Sequence, residues 1–104
     1  LGDVYKRQVW MDIRQSNTLN RAAARDEKDE RHICPLQLDL IARCLELWTN
    51  PNDIVLDPFA GIGSVPVVAL QMGRRTMGFE LKESYFKQAV LNCQKEENHD
   101  NSNI

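Results

Sequence analysis

The chain has 104 residues, of which 42% are apolar and 27% are charged, and its formal net charge is −2. These values are typical of one small globular domain and exclude an intrinsically disordered chain. No apolar run approaches the roughly 20 residues that a membrane span requires, and no secretory signal peptide is visible. The acidic balance offers no basic stripe, so we expect any contact with nucleic acid to be local or supplied by other sequence.

Three cysteines, Cys34, Cys44 and Cys93, are widely spaced and include no CxxC pair. An odd number at this spacing argues against a disulfide framework and against a zinc site. We therefore expect a reducing, cytoplasmic compartment and no bound metal. Cys44 and Cys93 fall on apolar helix faces, so both are predicted to be core residues.

The chain before the first clear helix is weakly patterned. Leu1 to Gln8 has no period and resembles read-through of adaptor DNA, so we interpret it as a non-native leader or, alternatively, a frayed terminus. Val9 to Ile13 alternates weakly, which is compatible with a strand, and Arg14 to Asn20 is a polar loop. The alanine- and charge-rich run from Arg21 to Arg31 is either a solvated helix or a flexible connector.

A first helix is predicted to begin at Pro35, because a proline N–H would find no partner in the first turn of a helix. Apolar residues then recur at helical spacing, at Leu38, Ile41, Ala42, Leu45 and Trp48. The polar turn from Asn50 to Asp53 stops this helix.

A strand, a tight turn and a second helix follow directly. Ile54 to Leu56 is a short apolar strand, and the small residues from Ala60 to Ser64 form the turn. The helix is predicted from Ser64 to about Met72, with Pro66 tolerated in its first turn and Gly73 as its stop.

The remaining chain repeats this pattern once. Arg75 to Glu80 is predicted as a second strand, Glu83 to about Gln94 as a third helix, and Lys95 to Ile104 as a disordered tail. Strands joined by a crossover helix run parallel, so the fold class is α/β. Two strands are too few for a stable sheet, so the sheet is incomplete or gains a strand from Val9 to Ile13.

Gly61-x-Gly63 lies where a parallel strand hands over to a helix, the place at which backbone N–H groups meet ligands. A dinucleotide fingerprint would need a third glycine at the position of Pro66, so this is not a clean NAD site, and a purely structural turn is equally compatible with the spacing. Glu80 lies 23 residues after Asp57 (80 − 57), close to the spacing at which a carboxylate accepts ribose hydroxyls. The alternative for Glu80 is an exposed carboxylate favoured by a helix dipole.

Asp57 stands beside the turn and would repel a phosphate, so a ligand with an amine and no pyrophosphate fits better. Asp57-Pro-Phe-Ala-Gly-Ile-Gly-Ser64 resembles the cofactor motif of amino-group DNA methyltransferases, which modify adenine N6 or cytosine N4. His32-Ile-Cys-Pro35 and Gly78-Phe79-Glu80-Leu81 resemble two further motifs of that family. Trp10 to Asn20 is similar to a block that precedes them. The resemblance covers about residues 9 to 94, in the motif order of the permuted subgroup.

The resemblance implies a partial Rossmann-like S-adenosyl-L-methionine-dependent fold and a set of pocket residues. Glu80 would bind the ribose hydroxyls, and His32 and Cys34 would lie near the methionine carboxylate. The alternatives for these two are a solvated histidine and a small buried thiol. The full set of cofactor-binding residues implied is His32, Cys34, Asp57, Phe59, Ala60, Gly61, Gly63, Ser64, Glu80 and Leu81.

The family's catalytic motif, Asp/Asn/Ser-Pro-Pro-aromatic, does not occur in the chain, because Asp57-Pro58-Phe59 lacks the second proline. The prediction is therefore the C-terminal, cofactor-binding part of a DNA methyltransferase in residues 9 to 94, inactive alone, with DNA bound through the parent protein. An RNA or protein methyltransferase of the same fold and a non-enzymatic nucleotide-binding module are the alternatives.

Overall fold

The structure is a computed structural model that describes residues 8–19 and 35–102. Within that part of the chain, helices and strands alternate. The elements are α1 (Leu38–Trp48), β1 (Ile54–Asp57), α2 (Ser64–Gln71), β2 (Arg75–Gly78) and α3 (Glu83–Ser102). The predicted order of helix, strand, helix, strand and helix is confirmed. No helix in the described ranges is both long and apolar enough to cross a membrane.

The two strands form a parallel ladder in which Ile54 pairs with Arg75 and Asp57 with Gly78. The sheet has two strands in the described residues, so the prediction of an incomplete α/β sheet is confirmed. The alternative in which Val9 to Ile13 adds a strand is wrong, because these residues have no ladder partner in the described chain. Asp12 of this segment instead contacts α1, where it accepts two hydrogen bonds from the Arg43 guanidinium, at 2.6 and 2.5 Å.

The main core lies between α1, α2 and the sheet. Ile41 and Leu45 of α1 are buried against Val68 and Ala69 of α2, and partly buried apolar residues surround them, among them Val55 of β1. The apolar stripe predicted for α1 is therefore the core-facing one. Trp48, at its end, is the exception and remains 55% exposed.

Two predicted helix boundaries are corrected. α1 begins at Leu38 rather than at Pro35, because Leu38 N–H donates to Asn17 O at 2.8 Å and thus starts the helix on the N-terminal segment. α3 continues to Ser102, so the predicted disordered tail is wrong as far as that residue. The extension contains no proline or glycine, and Gln71 Nε2 donates to Glu96 Oε1 at 3.0 Å, which ties α3 to α2.

The predicted stop of α2 at Gly73 is confirmed, with a left-handed φ of 77°. Gly73 N–H donates to Leu70 O at 3.1 Å, and Arg74 N–H donates to Ala69 O at 2.8 Å. This pair of bonds is a Schellman motif, which requires the left-handed residue that glycine supplies without steric cost. The chain then enters β2 directly beside β1.

Candidate functional site

The turn between β1 and α2 has a backbone that depends on its glycines. Gly61 and Gly63 have φ values of 58° and 93°, in the left-handed region that disfavours residues with a Cβ. Gly63 N–H donates to Ala60 O at 2.9 Å, which closes the turn just before α2 begins. The turn therefore presents main-chain atoms at the carboxyl end of β1.

Hydrogen bonds hold this turn against the end of β2. Ala60 N–H donates to Phe79 O at 2.8 Å, and Phe79 N–H donates to Asp57 O at 3.0 Å. Asp57 Oδ1 also accepts from Phe59 N–H at 3.0 Å, so this carboxylate folds its own turn. Gly78 permits the close approach, since a Cβ there would lie 3.1 Å from Ala60 Cβ. These contacts thus hold the turn directly against the end of β2.

Helix α3 supports the turn from the other side. A Cβ on Gly63 would lie 3.2 Å from Ala89 Cβ, so Gly63 allows α3 to pack directly on the start of α2. Asn92 Nδ2 donates to Ile62 O at 2.8 Å, and Gln88 orients the Asn92 amide with a bond of 3.0 Å. These contacts satisfy a main-chain carbonyl of the turn that its own fold leaves without a partner.

A cavity of about 450 Å³ opens above the turn, between β1, β2 and the residues that precede α1. This volume lies within the range of roughly 300–1,000 Å³ that is typical of small-molecule sites. Its lining is formed by Pro35, Leu36, Asp57, Phe59, Ala60, Gly61, Ile62, Ser64, Val65, Glu80 and Tyr85. The sequence-predicted residues that converge on this cavity are Asp57, Phe59, Ala60, Gly61, Ser64 and Glu80.

Of the four remaining predicted site residues, the structure describes two, and neither lines the cavity. Gly63 is buried under α3 and does not line the cavity, so its observed role is packing. Leu81 is fully exposed, at 105% of its reference area, and does not line the cavity either. His32 and Cys34 lie outside the described residues. The roles of these four in ligand binding stay predictions.

Sequence reasoning missed Tyr85, which is 6% exposed and packs on Ile62 at the cavity wall. Tyr85, Ala89 and Asn92 share one face of α3 at spacings of four and three residues (89 − 85, 92 − 89), and this face packs on the glycine turn. The small residue of that stripe, Ala89, is compatible with a close helix contact, but the sequence does not show that its partner is Gly63. Pro35, the last residue of the His32-Ile-Cys-Pro35 motif, and Leu36 also line the cavity, but neither was predicted as a pocket residue.

The described lining of the cavity offers carboxylate oxygens that can accept hydrogen bonds from hydroxyl and amine groups. Asp57 and Glu80 contribute carboxylates, and none of the described residues that line it is Lys, Arg or His. A phosphate would face two negative groups here, without a compensating basic side chain among the described lining residues. Phe59 adds an aromatic ring that is 86% exposed at the site. The residues thus suit an uncharged or cationic ligand with hydroxyl groups.

Neither a metal nor a reactive thiol is indicated in the described part of the chain. No group of three or more His, Cys, Asp or Glu side chains converges there. Burial raises the pKa of the Cys44 thiol, and burial together with nearby Glu97 and Glu96 raises the pKa of Cys93. Both thiols are only partly buried, so their assignment to the core holds in part, and Cys93 lines an apolar groove beside Phe86 and Val90.

Comparisons with known proteins identify the family. The sequence model described as DNA methylase, of the N6/N4 methyltransferase type, matches residues 2–91. The type II methyltransferase M1.MboII of Moraxella bovis is 44% identical over 63 residues, which cover 59% of this chain and 24% of the relative. The type II methyltransferase M.BglII of Bacillus subtilis is 36% identical over 80 residues, which cover 75% of this chain and 22% of the relative. The chain thus spans about a quarter of the length of these curated relatives.

Solved structures agree in fold. M1.HpyAVI in complex with SAM superposes with a TM-score of 0.56 at 32% identity, over 65% of this chain and 33% of that one. TTHA0409 of Thermus thermophilus, complexed with S-adenosyl-L-methionine, superposes with a TM-score of 0.57 at 27% identity, over 86% of this chain and 39% of that one. The chain therefore belongs to the N6/N4 DNA methylase family and contains part of the Rossmann-like fold of S-adenosylmethionine-dependent methyltransferases.

Proposed function

We propose that this chain supplies the S-adenosyl-L-methionine pocket of a longer, cytoplasmic DNA methyltransferase that modifies an exocyclic amine, adenine N6 or cytosine N4. The observation that carries the proposal is the cavity above the glycine turn, whose described lining has two carboxylates and no basic side chain. S-adenosylmethionine has ribose hydroxyls, an amine and a sulfonium, and lacks phosphate. The similarity of the chain to two SAM-bound methylases supports the same assignment.

Five of the predicted pocket residues can be given specific roles in binding the cofactor. Glu80 accepts hydrogen bonds from the ribose hydroxyls, as expected of an acidic residue after the second strand. Asp57 Oδ1 is held by Phe59 N–H, which leaves the other carboxylate oxygen for a ligand donor. The left-handed Gly61 keeps side-chain atoms away from the ligand. His32 and Cys34 would border the methionine carboxylate.

The bound cofactor supplies the methyl group, and this chain binds and orients it. The chain contains no Asp/Asn/Ser-Pro-Pro-aromatic motif to accept hydrogen bonds from the target amine. Asp57-Pro58-Phe59 does not substitute for it, because it lacks the second proline. We therefore expect residues 1–104 alone to transfer no labelled methyl group to DNA. Incorporation above background would contradict this division of labour.

Alanine substitution of two neighbouring glutamates, Glu80 in the cavity and Glu83 outside it, tests whether the cavity binds the cofactor. In the longer methyltransferase to which this chain is proposed to belong (the parent protein), Glu80→Ala should weaken the binding of S-adenosylhomocysteine, measured by calorimetry, about tenfold or more. This is the loss expected when a charged hydrogen-bond acceptor is removed. Glu83→Ala removes a nearby carboxylate whose side chain is 81% exposed and which does not line the cavity, so it should bind like the parent. Parent-like affinity of Glu80→Ala, or of the double variant with Gly63→Val, would overturn the assignment.

A further inference from the structure

The carboxylate of Asp39, which does not line the cavity, accepts four hydrogen bonds. Its Oδ2 accepts from Arg14 N–H at 2.9 Å and from Arg14 Nε at 2.8 Å. Its Oδ1 accepts from Arg14 Nη2 at 2.8 Å and from Asn17 Nδ2 at 2.9 Å. The guanidinium is thus held in a bidentate arrangement, the most directional form of ion pair. We refer to Arg14, Asn17 and Asp39 as the Asp39 cluster.

The Asp39 cluster joins the N-terminal segment to the first turn of α1. Asn17 N–H donates to Arg14 O at 3.2 Å, so these residues form a turn of their own. Asn17 O accepts from Leu38 N–H at 2.8 Å, which satisfies one of the unpaired donors at the helix start. A carboxylate in the first turn of a helix is also favoured by the helix dipole.

Both ends of this junction lead to the cavity. Leu19, two residues after Asn17, packs on the buried pair Ile62 and Tyr85, and both members of that pair line the cavity. On the other side, Leu36 and Pro35 stand just before α1 and line the same cavity. None of the three members of the Asp39 cluster lines it. The cluster is therefore connected to two walls of the cavity, one at Ile62 and Tyr85 and one at Pro35 and Leu36, without lining the cavity itself.

We propose that Asp39 is a positioning residue for the cofactor cavity, which by binding Arg14 and Asn17 seats Leu19 on Ile62 and Tyr85 and fixes that wall together with Leu36. The proposal rests on the proposed function, since it concerns the geometry of the same cavity. It assigns the segment from Arg14 to Leu19 a role in cofactor affinity, whereas it leaves the methyl-transfer step itself unaffected. The effect should therefore be on KM for the cofactor rather than on kcat.

The test is a kinetic and calorimetric comparison in the parent protein with unmethylated genomic DNA. Asp39→Asn should raise KM for S-adenosylmethionine and the Kd of S-adenosylhomocysteine about three- to tenfold, as expected for a residue that acts through a packed network. kcat at saturating cofactor should stay within about twofold of the parent. Leu19→Ala should give a similar increase, and the double variant should show no further loss, because both changes interrupt the same chain of contacts.

Asp12→Asn is the matched control, because it breaks another arginine–carboxylate pair of the same segment, with Arg43 in the middle of α1. It should leave the cofactor KM within about twofold. If circular dichroism shows that Asp39→Asn is unfolded, Asn17→Ala and Leu19→Ala decide the matter. Parent-like KM and Kd in Asn17→Ala and Leu19→Ala, or a Leu19 effect that adds fully to that of Asp39→Asn, would overturn the positioning role.

The two proposals fail differently. If the parent binds no S-adenosylhomocysteine, the proposed function fails and the positioning role fails with it. If Glu80→Ala weakens binding while Asp39→Asn and Leu19→Ala do not, the cofactor pocket stands and the positioning role alone is wrong.

Discussion

The two faces of the β1–β2 sheet differ sharply. On one face, Val55 packs into the core formed by α1 and α2. On the other, Ile54, Leu56 and Met77 are 59%, 60% and 54% exposed, and no element of the described chain covers them. Adjacent strand residues point to opposite faces, so this is one sheet with a finished side and an open side. α1 and α2 cover the finished side, and the glycine turn and its cavity lie at the carboxyl end of β1.

The largest expected effect comes from two isoleucines on the two faces. Ile41 is 3% exposed in the core, whereas Ile54 is 59% exposed on the open face. Ile41→Ala should lower the free energy of unfolding of the chain, measured by urea denaturation, by about 2–5 kcal/mol. Ile54→Ala should lower it by less than about 1 kcal/mol, since little apolar area is lost. Equal losses would contradict the asymmetry of the sheet.

Two glycines of the turn sharpen the comparison at smaller scale. Both have left-handed φ values, but a Cβ on Gly61 meets nothing within 4 Å, whereas a Cβ on Gly63 meets Ala89 at 3.2 Å. Gly61→Ala should destabilise the chain by about 1–2 kcal/mol from backbone strain. Gly63→Ala should destabilise it by roughly 1–3 kcal/mol more, because α3 must move. Urea midpoints in the reverse order would show that α3 does not pack on this turn as described.

The amide of Asn92 gives a smaller effect. Asn92→Ala removes the hydrogen bond to Ile62 O, so the chain should lose about 1 kcal/mol of stability. Asn98→Ala, at a solvent-exposed position of the same helix, is the control for helix propensity. Matching thermal shifts in the two variants would argue against the bond from α3 to the turn.

The smallest expected effect is the change with pH in the stability that the Asp39 carboxylate contributes. The side-chain hydrogen bonds from Arg14, followed by the Arg14 backbone N–H and Asn17, hold the pKa of Asp39 well below its usual range. A carboxylate with a lowered folded pKa stabilises the fold above its unfolded pKa, and this contribution is lost as the pH falls through the folded value. The difference in the free energy of unfolding between the unsubstituted chain and Asp39→Asn should therefore be constant from pH 7 to about 5 and shrink only in stronger acid. A carbon-13 titration of the Asp39 carboxyl measures the pKa directly, and a midpoint at or above about 4, the ordinary value, would contradict the cluster.

Sequence patterns predicted the order of elements and most of the cavity, because both depend on local features. Apolar spacing identified α1, and the Gly61-x-Gly63 turn followed by Glu80 located the cavity. What failed depended on distant contacts. Val9 to Ile13 alternates as a strand does, yet its residues contact α1 through Asp12 and Arg43. The last turns of α3 are polar, and their helix is supported by the bond between Gln71 and Glu96.

The contribution of Tyr85 could not be read from composition, since a single aromatic on a helix is normally a core residue. Only the packing of α3 on the turn, through Ala89 and Asn92, shows that Tyr85 lies at the cavity. In the same way, Asp39 reads as an ordinary acidic residue near a helix start. Its partners, Arg14 and Asn17, are separated from it by 25 and 22 residues. Such long-range partners leave no periodic signal in a single sequence.

The most direct measurement is a pair of calorimetric titrations of the parent protein, one with S-adenosylhomocysteine and one with ADP. The two ligands share adenosine, but ADP carries a pyrophosphate, which in the proposed pocket would face Asp57 and Glu80 without a lysine or arginine among the described lining residues. S-adenosylhomocysteine should bind in the micromolar range, about −8 kcal/mol, whereas ADP should bind at least about a hundredfold more weakly. Equal or tighter binding of ADP would show that the cavity is a phosphate site and that the sulfonium cofactor has been wrongly assigned.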